Sequence, residues 1–169
     1  MTKALDLLLR MRPDTEVIGV IGGNEKGAAI KLVSSVLKQQ FKTWDKPVVD
    51  LDKVKITPRI AVLMGPSAPL DDVPKHGWII FNGDDSEVRK IIKETKSPAL
   101  KISYGSGPQN DVVISQPKKG EIAVTLNTGI RHVFSFLPTT KINPVDIAPS
   151  IVIGLLEGLD FDKIQQGLK

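Results

Sequence analysis

The run Val17-Ile18-Gly19-Val20-Ile21 leads straight into Gly22-Gly23. β-Branched residues without polar alternation suit a strand buried on both faces, and a double glycine stops such a strand in a tight turn. Downstream, Ala29, Ile30, Val33, Val36 and Leu37 recur at helical spacing across residues 27–40. The first unit is therefore strand, glycine turn, helix. A strand buried on both faces belongs in a parallel sheet covered by helices, so this unit points to an α/β fold with a mostly parallel sheet.

The rest of the chain continues the pattern. Residues 47–51 (PVVDL) predict a short strand near a sheet edge because of Pro47. Residues 59–64 (RIAVLM), 78–81 (WIIF) and 99–104 (ALKISY) are further strands, the first closed by Gly65 and the last by Gly105-Ser106-Gly107-Pro108, with a helix expected over 86–95. After Gly107 the texture changes. Residues 111–115, 121–126 and 132–137 are short strands with close turns, one at Asn127-Thr128-Gly129, and predict a small antiparallel meander. Asn143 and Pro144 suit the N-cap and first position of a helix whose Ile147, Ile151, Leu155 and Leu156 form one apolar face, closed by Gly158. A short helix over 160–167 follows. Residues 1–12 (MTKALDLLLRMR) predict an amphipathic first helix, since Asp6 and the lack of a small-residue cleavage site argue against a signal peptide. With 169 residues and no repeat, low-complexity tract or linker, the expectation is one domain spanning 1–169.

Composition removes several function classes. The absence of cysteine excludes a disulfide framework, thiolate zinc, iron–sulfur ligation and cysteine nucleophiles. Lys plus Arg number 23 and Asp plus Glu 19, a formal charge of +4, and only 5% of residues are aromatic. Scattered basic residues with so few rings to stack on bases argue against nucleic acid. No apolar run is long enough to cross a bilayer. His76 and His132 have no metal-ligand spacing, and no Gly-x-Ser-x-Gly elbow is present. The expectation is a cytoplasmic protein with no nucleic-acid partner, no membrane insertion, and no assigned catalytic or metal-binding residue.

Ligands of open α/β sheets bind beyond the carboxyl ends of the strands. Residues 22–27, 65–76, 82–85 and 105–110 all lie at that rim. In the loop Gly22-Gly23-Asn24-Glu25-Lys26-Gly27-Ala28, backbone N–H groups at Gly22, Gly23 and Asn24, a helix N-terminus and the Lys26 ammonium together suit a phosphate. A working phosphate loop also carries Ser or Thr after the lysine to hold Mg²⁺, and here Gly27 and Ala28 stand instead. Glu25 adds a negative charge where a polyphosphate would lie. The alternative is that Glu25 serves the positive end of the helix and Lys26 is a solvated surface residue. Asn82, at a strand end, is a candidate for an adenine edge, whereas Asp84 with Glu87 reads as a capping box.

Residues 17–26 (VIGVIGGNEK) resemble the start of the ATP-binding central domain of Mur ligases, the ATP-dependent amide-bond ligases of peptidoglycan precursor synthesis, and of their folylpolyglutamate synthase relatives. The loop of that family is Gly-Thr-Asn-Gly-Lys-Thr/Ser-Thr/Ser. Residues 78–85 (WIIFNGDD) are similar to the family's strand ending in Asn-x-Asp-Asp. Residues 102–105 (ISYG), 110–113 (NDVV), Leu137-Pro138, 143–159 and 161–168 (FDKIQQGL) follow in collinear order. The resemblance implies a P-loop-like sheet flanked by helices over nearly the whole chain. It also exposes departures. Gly23, Glu25 and Gly27 stand where the family has Thr, Gly and the metal-binding hydroxyl. Residues 59–77 carry neither its Mg²⁺ glutamate nor its Asp-His motif, and Lys75 matches its modified lysine by position only. The domains that hold the UDP-sugar and the incoming amino acid have no counterpart in the sequence, and a ligase must position acyl phosphate and amine together. The first expectation is thus a non-catalytic Mur-ligase-like domain, a binding or scaffold protein in cell-wall synthesis that works with a protein partner or as a homo-oligomer. The alternative is the ATP-binding subunit of a split amide ligase, with Gly22, Gly23, Asn24 and Lys26 on phosphate, Asn82 on adenine, and ATP and Mg²⁺ as cofactors. A third reading gives the rim a different anion, such as a nucleotide sugar without metal.

Overall fold

In the first strand every side chain is buried, with Ile18 and Val20 in one apolar layer and Ile21 in another. That is the pleat at work, since successive side chains leave opposite faces of a strand. The computed structural model describes residues 16–42, 45–67, 70–136 and 143–169. Among these are eight strands, β1 Ile18–Ile21, β2 Val48–Asp50, β3 Ile60–Leu63, β4 Trp78–Asn82, β5 Leu100–Gly105, β6 Val112–Ser115, β7 Glu121–Leu126 and β8 Arg131–Ser135. The helices are α1 Lys26–Leu37, α2 Ser86–Glu94, α3 Pro144–Leu156 and α4 Phe161–Gly167. The expected helix over residues 1–12 and Leu137-Pro138 lie outside the described residues.

All eight strands form one sheet in the order β2-β1-β3-β4-β5-β6-β7-β8. Neighbours are parallel from β2 through β6 and antiparallel from β6 to β8. The larger apolar layer joins Ile18, Ile60 and Ile80 to α1, α3 and α4, and the smaller one joins Ala61, Leu63 and Phe81 to α2. β2 is the edge strand that Pro47 predicts. The Pro47 carbonyl, which needs no N–H of its own, accepts from Ile18 at 3.0 Å.

The expected antiparallel meander is β6-β7-β8, and it continues the main sheet because β6 also pairs in parallel with β5 through Tyr104↔Val112 and Gly105↔Val113. A parallel neighbour ordinarily needs a crossover of a dozen residues or more. Here residues 106–111 suffice, because the two strands overlap over two residue pairs only. α3 was expected to show one apolar face, yet Ile147, Ala148, Pro149, Ser150, Ile151, Val152, Ile153 and Gly154 are all buried, while Leu155 and Leu156 are only half-buried. α3 packs on β4, β5 and β6 and against α1 and α4, so its middle is covered on every side. A Cβ on Gly154 would sit 2.8 Å from Ile164 and 3.0 Å from Val36, so glycine lets the three helices close up.

The amino ends of the strands are tied by charge. Glu16 precedes β1, Lys46 precedes β2, Arg59 precedes β3 and Glu157 caps α3. Lys46 pairs with both Glu16 and Glu157, and Arg59 lies 2.5 Å from Glu16 and 3.6 Å from Glu157. This clamp lies at the end of the sheet opposite the rim formed by the carboxyl ends of the same strands.

Candidate functional site

Gly22 and Gly23 turn the chain out of β1 with φ of +70° and +76°, a region that glycine enters without strain. The turn rests backbone to backbone on Gly65, which follows β3. A Cβ on Gly22 would run into the Gly65 carbonyl oxygen, and a Cβ on Gly65 would lie 2.9 Å from the Gly23 nitrogen. Asn24 is exposed at the crest of the turn. Glu25 occupies the N-cap position of α1, where its carbonyl accepts from Ala28 at 3.0 Å and Ala29 at 3.2 Å, but its side chain makes no cap hydrogen bond. Glu25 thus closes no hydrogen-bonded cap, and what its carboxylate brings to the helix end is its charge. Gly27 has nothing within 4 Å of the place a Cβ would take.

Lys26 is not a solvated surface residue. Its ammonium pairs with Asp52 and lies 3.3 Å from Asp50. Asp50 ends β2 with its side chain 8% exposed, and its Oδ1 also accepts the Asp52 backbone N–H at 3.1 Å. The Gly22 N–H, one of the donors expected to serve a ligand, points to Asp52 Oδ2 at 3.4 Å. Burial pushes the Asp50 carboxyl up, but its bonds to Lys26, the Asp52 N–H and Lys53 outweigh this and leave it below its ordinary value. The Asp52 hydrogen bond, aided by Asp50, raises the Lys26 ammonium. Asp146, in the first turn of α3, is raised by burial and then by the charge of Glu25. Glu25, Asp50, Asp52 and Asp146 therefore crowd a loop that holds one lysine.

Asn82 stands at the same rim two strands away, roughly 10 Å across the sheet from β1. Its Oδ1 accepts the Asp84 N–H at 3.0 Å, so Asn82 builds the turn that leaves β4. That turn shifts the helix cap by one residue from the expected Asp84–Glu87 box. Asp85 is the N-cap and accepts from Glu87 at 2.9 Å and Val88 at 3.1 Å. Asp84 instead organises the next rim loop. Its carboxylate accepts from Ser106 N at 2.6 Å, Ser106 Oγ at 2.8 Å, Gly107 N at 3.2 Å and Asn110 Nδ2 at 2.9 Å. Burial pushes Asp84 up, and these donors hold it below its ordinary value.

The structure thus brings Gly22, Gly23 and Lys26 together, leaves Asn24 exposed beside them and Asn82 apart. The sequence reading missed Asp50 and Asp52. Their signal was present, because the strand candidate PVVDL followed by Asp52 carries two acids to the rim beside the glycine turn. His132 stacks on Phe161 with ring centroids 4.2 Å apart, a packing role. No group of His, Asp or Glu among the described residues could hold a metal ion, and none of the described helices is long and apolar enough to cross a membrane. A cavity of about 430 Å³ opens beside the rim, floored by Ile21, Leu51, Val54, Leu70 and Val73.

Comparison of the sequence finds no matching family model and no matching curated protein. Comparison of the fold finds Mur ligases. The chain matches MurF from Acinetobacter baumannii with a TM-score of 0.74 at 12% identity, over 97% of this chain and 48% of that one. UDP-N-acetylmuramate:L-alanyl-gamma-D-glutamyl-meso-diaminopimelate ligase from Neisseria meningitides matches with a TM-score of 0.74 at 14% identity, over 99% and 69%. MurF from Thermotoga maritima in complex with ADP matches with a TM-score of 0.64 at 15% identity, over 96% and 52%. The chain spans about half the length of the MurF structures. Its fold is that of the Mur ligase central domain, as the collinear motifs implied.

Proposed function

We propose that this protein is a non-catalytic Mur-ligase-like domain, a cytoplasmic binding or scaffold protein in cell-wall synthesis. One observation carries the reading: the only cation of the glycine loop, Lys26, is committed to Asp50 and Asp52. Gly27 supplies no hydroxyl for Mg²⁺, and Glu25 and Asp146 add like charge around the loop. Two like charges about 4 Å apart repel by about 1 kcal/mol in water and several-fold more when partly desolvated. A polyphosphate would meet that repulsion at several oxygens. The domain then works through a protein partner or a second copy of itself. The test is calorimetric titration with ATP and ADP, with and without Mg²⁺. No saturable binding tighter than about 100 μM, or about −5.5 kcal/mol, is expected. Mg·ATP binding tighter than that, lost in Lys26→Ala, overturns the reading.

The shape of the turn favours a second reading, the ATP-binding subunit of a split amide ligase. Gly22 and Gly23 keep a left-handed turn ahead of a helix, the MurF of Thermotoga maritima carries ADP, and Gly27 has room for a side chain. On that reading Lys26 meets phosphate, Asn82 meets adenine, and Glu25→Gly with Gly27→Thr strengthens Mg·ATP binding. An unchanged blank titration of that double variant removes it.

A further inference from the structure

We infer that the Asp52 carboxylate is an internal anion seated in the glycine turn, a self-inhibiting contact that closes the loop to phosphate-bearing ligands. The inference rests on the non-catalytic reading above and supplies its physical cause.

Two donors converge on one oxygen. Asp52 Oδ2 takes the Lys26 ammonium and the Gly22 N–H, the side-chain and backbone groups that a phosphate at this turn would use. Asp52 can reach them because β2 runs parallel to β1 in the register Val20↔Asp50, and the turn after Asp50 brings the chain back over the end of β1. The Leu51 N–H donates to the Val20 carbonyl at 2.9 Å, which fixes Asp52 one residue beyond. A carboxylate spreads its charge over two oxygens, as a phosphate does over more, so it satisfies this cation and this N–H without a ligand.

The contact can open. The Asp52 side chain is 38% exposed and that of Lys26 22%, whereas the Asp50 side chain is almost wholly buried. Asp50 lies 3.3 Å from the ammonium and keeps Lys26 at the loop when Asp52 is neutralised. Replacing Asp52 with asparagine therefore removes one negative charge from the seat and leaves the cation in place.

Inorganic tripolyphosphate is the probe, followed by calorimetry and by amide shifts of residues 22–27 in the full chain. Asp52→Asn is compared with the wild type and with Asp162→Asn, which removes the same charge from the exposed face of α4. Asp52→Asn is expected to bind about ten-fold tighter than both or better, with shifts confined to the loop. Should Asp52→Asn fail to fold by circular dichroism, Asp52→Ser takes its place. A folded Asp52 variant that binds no tighter than wild type overturns the inference, while a blank Mg·ATP titration of the wild type leaves the non-catalytic reading standing. Mg·ATP binding by the wild type overturns that reading, and a wild type that also binds tripolyphosphate as well as Asp52→Asn overturns the inference with it.

Discussion

Lys46→Met isolates the clamp at the amino ends of the strands. Methionine keeps most of the stem of Lys46, so the main loss is the charge. The Lys46 side chain is 12% exposed and that of Glu157 7%, so the pair is close to a buried ion pair. Removing one partner of such a pair costs about 3–5 kcal/mol, because the other charge stays buried and uncompensated. Arg59 remains 3.6 Å from Glu157, and Glu16 reaches solvent, so the expected loss is smaller, about 2–3 kcal/mol. Urea unfolding at pH 7 reads it as a fall of about 1 M or more in the midpoint with the slope unchanged. The double variant Lys46→Met/Glu157→Gln removes the stranded charge and is expected to recover part of the loss. The acid limb gives a second check. Burial pushes the Glu16 carboxyl up, but Lys46 and Arg59 outweigh it and hold the group below its ordinary 4.5. The folded state thus binds this proton less readily than the unfolded chain. Its stabilisation is full above about pH 4.5 and fades as pH falls through the lowered folded value. In Lys46→Met that part of the pH dependence shrinks. A loss under about 0.5 kcal/mol, the usual range of a surface change, or a double variant no better than the single one refutes the argument.

Gly27→Ala is expected to stabilise the protein by about 0.5–1 kcal/mol, since alanine is the better helix former and nothing lies near its Cβ; a lower thermal midpoint would show that the glycine is needed. Asp85→Ala removes the α2 cap and is expected to cost about 1 kcal/mol in urea unfolding. Asp84→Ala leaves that cap intact and acts on the neighbouring loop, so hydrogen exchange is expected to quicken at Ser106 and Gly107 while α2 keeps its protection.

The layered fold was legible because burial on both faces writes itself into solid apolar runs such as residues 17–21 and 78–81. The edge position of β2 was legible in Pro47. The role of residues 106–111 was not, because a tight parallel connection depends on an acid 22 residues earlier, Asp84, whose oxygen holds Ser106. Local spacing favoured Asp84 as the cap for the same reason. Asp84-x-x-Glu87 fits the capping pattern, but the turn at Asn82 decides which of two adjacent aspartates meets the helix. The burial of α3 was not legible in Ile147, Ile151, Leu155 and Leu156, because their spacing marks one apolar face and does not tell that the sheet, α1 and α4 cover the others as well.

The glycine loop shows why such a motif is weak evidence of a ligand. Gly22 and Gly65 have no room for a Cβ, because the ends of β1 and β3 meet there. This would hold with or without a nucleotide, so these glycines by themselves do not distinguish a phosphate loop from a strand-end contact. Lys26 is paired with Asp52, and Gly27 stands beside open space; these two positions are the ones on which the non-catalytic reading proposed above rests. The pairing could be read only in three dimensions, since Asp52 stands 26 residues from Lys26 and reaches it through the parallel register of β1 and β2. On the reading proposed above, the carboxylates of Asp50 and Asp52 at the end of the neighbouring strand are therefore what separates a self-satisfied loop from a ligand-binding one.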